Sequence, residues 1–337
     1  MTDIDGFSIS KGGAVSLQPE FIALMANAAI AAYTDFEKPS KDGHAPESLA
    51  FGSTSFDYLH RFTGLDTVPW GSEKEERFGL VYRWSESEGV LLIAFRGTSS
   101  PYDMWEDLES AEACNFKPFS ENVNFPKRVC VGEGFNHIYT KEDSAMKVSM
   151  QKQLFALIDD QAESVKHIIV TGHSLGCALC TQFAFDLAVS RPNIKVTNVN
   201  FASPRVGTNG FAEAYNSQYD LLSRTVRIRN HYDVVPKVPF KSWPFDFQHV
   251  GNQFLVSFGT KSFAHLPQTI VEAWHSMSNY QLVINRATAN SPQTWVGDFN
   301  DQADLAVLME SLDPTTHRLD WKKGVLKKIL ESTKSKL

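Results

Sequence analysis

One feature narrows the folds open to this chain more than any other. A short apolar, β-branched run, HIIVTG over residues 167–172, passes almost at once into a long apolar helical pattern, LGCALCTQFAFDLAV, from Leu175. Between them stands Gly172-His173-Ser174-Leu175-Gly176, a G-x-S-x-G pattern. The pentapeptide carries little by itself and gains meaning from a strand before it and a helix after it. In that setting the serine backbone is forced into a strained turn that lifts Oγ off the sheet edge, and the flanking glycines let strand and helix approach without Cβ clashes. A helix that starts at the serine offers free N–H groups and its positive dipole end to a developing oxyanion. Ser174 is therefore the candidate nucleophile. His173 is adjacent, but neighbours on a tight turn point in different directions, so a packing role beside the turn is expected for it.

The rest of the chain reads as strands alternating with helices, an α/β protein whose sheet carries helices on its faces. Residues Leu17 to Tyr33 form an Ala-rich amphipathic helical pattern. Residues 35–75, rich in Pro, Gly and Ser, read as irregular. Strands are expected at 78–84 and 89–95, joined by a Ser/Glu/Gly turn, and again at 196–203, 225–230 and 252–259. From about Asn285 the composition turns polar before a last helix at 319–335, so the tail reads as an addition to the main domain.

Composition excludes several classes. With 337 residues, 42% of them hydrophobic, the chain can bury one large core or one core plus an extension. A net charge of −7 disfavours nucleic acid and anionic lipid heads. The polar, acidic start lacks the basic-then-apolar pattern of a secretory signal, and no apolar run approaches membrane-spanning length. A soluble protein without stable membrane insertion is expected, cytoplasmic or exported without a leader. Cys177 and Cys180 form a C-x-x-C inside the helical pattern, where small buried thiols are expected rather than a redox pair. No zinc spacing occurs, so neither metal nor organic cofactor is implied. Oligomeric state is left open.

Taken together, FRGT (95–98), GHSLGCAL (172–179), FASPRVG (201–207), YDVVP (232–236) and HSMSNY (275–280) resemble the fungal-lipase-like class 3 lipases, from about Ala23 to Ile284. The resemblance implies the α/β-hydrolase fold, with a central, mostly parallel sheet flanked by helices. It implies that the backbone N–H and hydroxyl of Thr98 and the N–H of Leu175 form an oxyanion hole. It implies Asp233 as the triad acid, in the Ser–Asp–His chain order of that fold. For the base it favours His275, with His317 next; His249 matches a non-catalytic family strand, and His265 has little motif support. Two departures stand out. The family's His-x-Gly-Phe is Gly132-Glu133-Gly134-Phe135 here, and the segment after Thr98 is one residue short.

In that family a helical lid follows the oxyanion strand. The corresponding residues, about 100–113, place Tyr102, Met104, Trp105 and Leu108 at helical spacing beside acidic residues. An apolar acyl groove gains from such a cover in water and from its displacement at a lipid–water interface. The expected organisation is thus a catalytic domain over 1–284 and an extension over 285–337. From Arg318 to Leu337 seven Lys/Arg stand against Asp320 and Glu331, a local +5 that leaves −12 on the remainder. Docking of this basic helix on the acidic body, or onto a second subunit, is preferred to a membrane-surface role. The reading is a serine hydrolase of hydrophobic esters such as triacylglycerols, with phospholipase A1 or aryl/feruloyl esterase as the alternative. The rival of another class is a non-catalytic lipase-like binding module.

Overall fold

The structure, a computed structural model, describes residues 6–10, 15–38, 45–51, 54–68, 72–86, 88–98, 112–121, 123–161, 163–239, 241–242, 245–256, 258, 274–290 and 295–297. Eight strands form the central sheet: β1 (Leu49–Phe51), β2 (Thr54–Val68), β3 (Ser72–Trp84), β4 (Val90–Phe95), β5 (His167–His173), β6 (Lys195–Phe201), β7 (Thr225–Asn230) and β8 (Asn252–Val256). Their order across the sheet is their order along the chain. β4 to β8 run parallel to one another, and β1 to β4 pair antiparallel. The sheet is therefore mixed, with its parallel half carrying the GHSLG turn.

Crossovers between adjacent parallel strands are almost always right-handed, so a sheet laid down in one direction collects its crossover helices on one face. That face holds α2 (Glu133–Thr140), α3 (Met150–Asp160) and α4 (Leu175–Ser190), packed on Leu91, Ile93, Phe95, Ile168, Val170 and Val196. The opposite face is left to helices from either end of the sheet, α1 (Pro19–Glu37) and α5 (Met277–Asn290), packed on Leu80, Leu92, Ala94, Ile169, Val199 and Val226. β4, VLLIAF, is buried at every position because its odd and even residues face two different cores.

Three expectations are corrected. Residues 54–68, within the stretch read as irregular, form the longest strand of the sheet, paired with β3 almost throughout. Phe56 and Phe62 are buried while Asp57 and His60 are exposed, so only part of the strand contributes to the apolar count. β3 correspondingly begins at Ser72, not at 78. The domain boundary expected at 284 falls inside α5, and Trp295–Gly297 pairs antiparallel with Val15–Leu17. At 113 the chain is already in a strand, Ala113–Asn115. The lid residues Tyr102, Met104, Trp105 and Leu108, together with His265, His317 and the basic C-terminal segment, lie outside the described residues. At the departure from His-x-Gly-Phe, a Cβ on Gly132 would lie 2.8 Å from the Phe135 ring, which lies where a histidine side chain would start.

Candidate active site

Ser174 has φ 59° and ψ −125°, a conformation that costs a non-glycine residue about 1–3 kcal/mol. The surroundings hold it there. Its N–H donates to the Phe201 carbonyl of β6 at 3.1 Å, and its own carbonyl accepts from Cys177 N at 2.9 Å. The two glycines are required by close approach. A Cβ at Gly172 would lie 2.6 Å from the Gly176 oxygen, and one at Gly176 would lie 2.5 Å from the Phe95 oxygen.

Asp233 lies three residues beyond β7, in a turn closed by its N–H on the Asn230 carbonyl at 3.1 Å. It is fully buried, and a buried carboxylate stays charged only where donors surround it. Oδ1 accepts from Val235 N at 3.0 Å, and Oδ2 from the Tyr280 hydroxyl at 3.1 Å. Both oxygens face His275 Nδ1, at 3.1 and 2.9 Å. On its other side, His275 Nε2 stands 2.7 Å from Ser174 Oγ. With Nδ1 donating to the carboxylate, Nε2 is left to accept the Ser174 proton. Ser174, His275 and Asp233 thus form one unbroken chain, buried to within a few per cent.

Leu175 is the first residue of α4, where an N–H has no intrahelical acceptor. Thr98 Oγ1 is buried and has no partner among the described residues. Its neighbour Gly97 lies against the elbow: a Cβ there would stand 3.0 Å from Ser174 Cβ. Arg96 holds this turn. Its guanidinium sits 3.8 Å over the Phe36 ring and 4.2 Å over the Phe78 ring. From there it donates to Gly97 O at 2.7 Å and Arg77 O at 2.6 Å, and pairs with Glu76 at 3.0 Å. The Gly97–Thr98 turn and the helix N-terminus at Leu175 thus both lie beside Ser174.

Two further residues bind the site together. Tyr280 was visible only as the last residue of HSMSNY; here its hydroxyl donates to Asp233 and accepts from Asn230 N at 2.5 Å, joining acid, strand end and α5. His173 does not simply pack: its Nε2 is 2.6 Å from the backbone carbonyl of His275. Burial, then the neighbouring His275, hold the His173 imidazole well below the usual histidine range. His249, set aside as a base, donates from Nε2 to Pro236 O at 2.7 Å. Cys177 and Cys180 are buried thiols bonded to backbone carbonyls, and burial raises both. Among the described residues no cluster of three or more His, Cys, Asp or Glu could hold a metal ion.

Residues 92–243 match the family described as lipase (class 3). Phospholipase A1-II 1 of Oryza sativa subsp. indica is 30% identical over 202 residues, covering 56% of this chain and 48% of that protein. Phospholipase A1-IIgamma of Arabidopsis thaliana is 28% identical over 270 residues, 73% of this chain and 59% of that protein. The chain spans about half the length of such curated relatives. A solved triacylglycerol lipase, whose catalytic centre is formed by a serine protease triad, superposes with a TM-score of 0.52 at 19% identity, over 77% of this chain and 91% of that one. At that identity the likeness is one of fold, the α/β-hydrolase type.

Proposed function

We propose that this class 3 lipase-like chain is a serine hydrolase of lipid carboxylic esters, with Ser174 as nucleophile, His275 as base and Asp233 as its orienting acid. The observation that carries the reading is the continuous contact from Asp233 through His275 to Ser174 Oγ, at 2.9 and 2.7 Å, with the serine on a strained elbow at a helix N-terminus. Ser174 Oγ attacks the ester carbonyl carbon as its proton passes to His275 Nε2. The carbonyl oxygen becomes an oxyanion that takes hydrogen bonds from Leu175 N–H and from Thr98. Collapse expels the alkoxide, which leaves with the proton from His275, and an acyl-Ser174 ester remains. Water, deprotonated by the same imidazole, attacks that ester; the acid leaves and the proton returns to Ser174.

For the substrate, acyl esters of phospholipids come first, because the curated relatives are named phospholipases A1; triacylglycerol is second. Tyr102, Met104, Trp105 and Leu108 are proposed as a lid. If so, the rate should rise steeply once substrate exceeds its solubility, and Trp105→Ala should flatten that rise. The deciding experiment compares phosphatidylcholine vesicles, emulsified triacylglycerol and soluble p-nitrophenyl esters on wild type and Ser174→Ala. A fluorophosphonate should add its mass to Ser174 of the wild type and none to the variant. Intact protein that neither hydrolyses an ester nor takes the label is a binding module, and the hydrolase reading then fails.

A further inference from the structure

Three segments far apart in the chain meet at the site: the Gly97–Thr98 turn after β4, the elbow after β5, and the His275 segment before α5. Transition-state stabilisation requires the first and last to be in register, because one offers donors to the oxyanion while the other moves the proton. A displacement of about 1 Å in such an arrangement costs on the order of 100-fold in rate.

Two side chains outside the triad join these segments. His173 Nε2 is 2.6 Å from the His275 carbonyl oxygen, and a carbonyl only accepts, so Nε2 carries the proton. Nδ1 is then an acceptor, and the Tyr33 hydroxyl of α1, 2.8 Å away, donates to it. The same Tyr33 oxygen lies against Gly97 of the oxyanion turn. The contact is close: a Cβ on Gly97 would lie 2.4 Å from that hydroxyl. The rings of His173 and His275 are 4.6 Å apart and tilted by 38°. An apolar side chain at this position would leave the His275 carbonyl oxygen and the Tyr33 hydroxyl without this partner. The imidazole instead has both nitrogens paired, one toward each side of the reaction centre.

We propose that Tyr33 and His173 are positioning residues: Tyr33, seated against Gly97, donates to His173, and His173 Nε2–H donates to the His275 carbonyl, so that the base is held in register with the oxyanion turn. The inference rests on the ester-hydrolase reading and adds to it two residues that never touch substrate. It makes the G-x-S-x-G histidine a donor to backbone, with no part in proton transfer.

The test uses the full chain, p-nitrophenyl butyrate as probe, and melting temperature as the check on folding. His173→Leu should lower kcat about 10- to 100-fold with KM within about twofold, since only transition-state geometry is lost. His173→Gln, which donates from Nε2 and accepts at Oε1, should recover most of that loss, about tenfold. Tyr33→Phe should lower kcat about fivefold, and the double variant Tyr33→Phe/His173→Leu should be no slower than His173→Leu, because both cut one chain. Wild-type kcat in His173→Leu, a Gln variant no better than Leu, or additive losses in the double variant would overturn the proposal. If His173→Leu does not fold, Tyr33→Phe decides, and an unchanged kcat there overturns it. A wild type that turns over no ester sinks the hydrolase reading itself, a different outcome from an active wild type indifferent to these substitutions.

Discussion

Asp233 is fully buried and faces donors from three directions: the His275 ring, the Val235 amide and the Tyr280 hydroxyl. This pattern suits a carboxylate that must stay ionised while an imidazolium forms beside it. Asp233→Asn keeps the volume but reverses the hydrogen bond that sets the His275 tautomer. Ester hydrolysis should fall by about 10³- to 10⁴-fold with little change in KM, measured at pH 7 on a soluble ester. Tyr280→Phe should leave the acid one donor short and the Asn230 amide unpaired. It should lower unfolding free energy by about 1.5–3 kcal/mol in a urea titration. Thr98→Val removes a hydroxyl that has no partner among the described residues, so stability should hold. The value of kcat should drop by up to about 10²- to 10³-fold if that hydroxyl faces the oxyanion, and an unchanged kcat would remove it from the site.

At the scale of elements, the site depends on how closely α4 lies on β4. Gly176 meets the Phe95 and Arg96 carbonyls of that strand and its following turn, at 2.5 and 2.6 Å from where a Cβ would stand. Backbone atoms yield little, so Gly176→Ala should push the helix off the sheet. A loss of about 1–3 kcal/mol in stability, read by thermal melting, should accompany a loss of kcat. The elbow was legible in sequence because its signals are local: a β-branched run, two glycines and a helical period. Strand 54–68 was not, because it forms through pairing with β3, and its polar positions at Asp57 and His60 face outward. Propensity alone treats such an outer strand as loop. Residues after Asn285 behave in a similar way. Polar residues after Asn285 suggested a tail, yet Ala287 and Thr288 are buried in α5 and Trp295 pairs with Leu17. Cutting the chain after 284 should therefore cost about 3–5 kcal/mol against the full chain in denaturant unfolding.

For the whole molecule, buried histidines set a sign for acid stability. His173 and His249 both lie well below the usual range of 6.5 when folded, chiefly through burial. The unfolded chain thus binds protons that the folded one refuses. Stability from these groups is present above about pH 6.5 and is lost as pH falls below it, by up to about 1.4 kcal/mol per group per pH unit. Asp186, raised by burial, acts with the opposite sign in a lower range. The melting temperature should decline from pH 7 to pH 5 at constant ionic strength, and His249→Gln should shrink that decline. A flat profile over this range would contradict the neutral burial of both rings.

The sequence alone determined what depends on neighbours in the chain. Those are the elbow serine, the alternation of strands and helices, and, through family motifs, Asp233 and His275 as the residues that meet that serine. Only the tertiary structure decided that Tyr280 anchors the acid, that Arg96 pins the Gly97 turn, and that His173 reaches a carbonyl 102 residues away. Each of these is a hydrogen bond between segments that become neighbours only once the sheet is assembled, and no local period or turn residue encodes such a pairing.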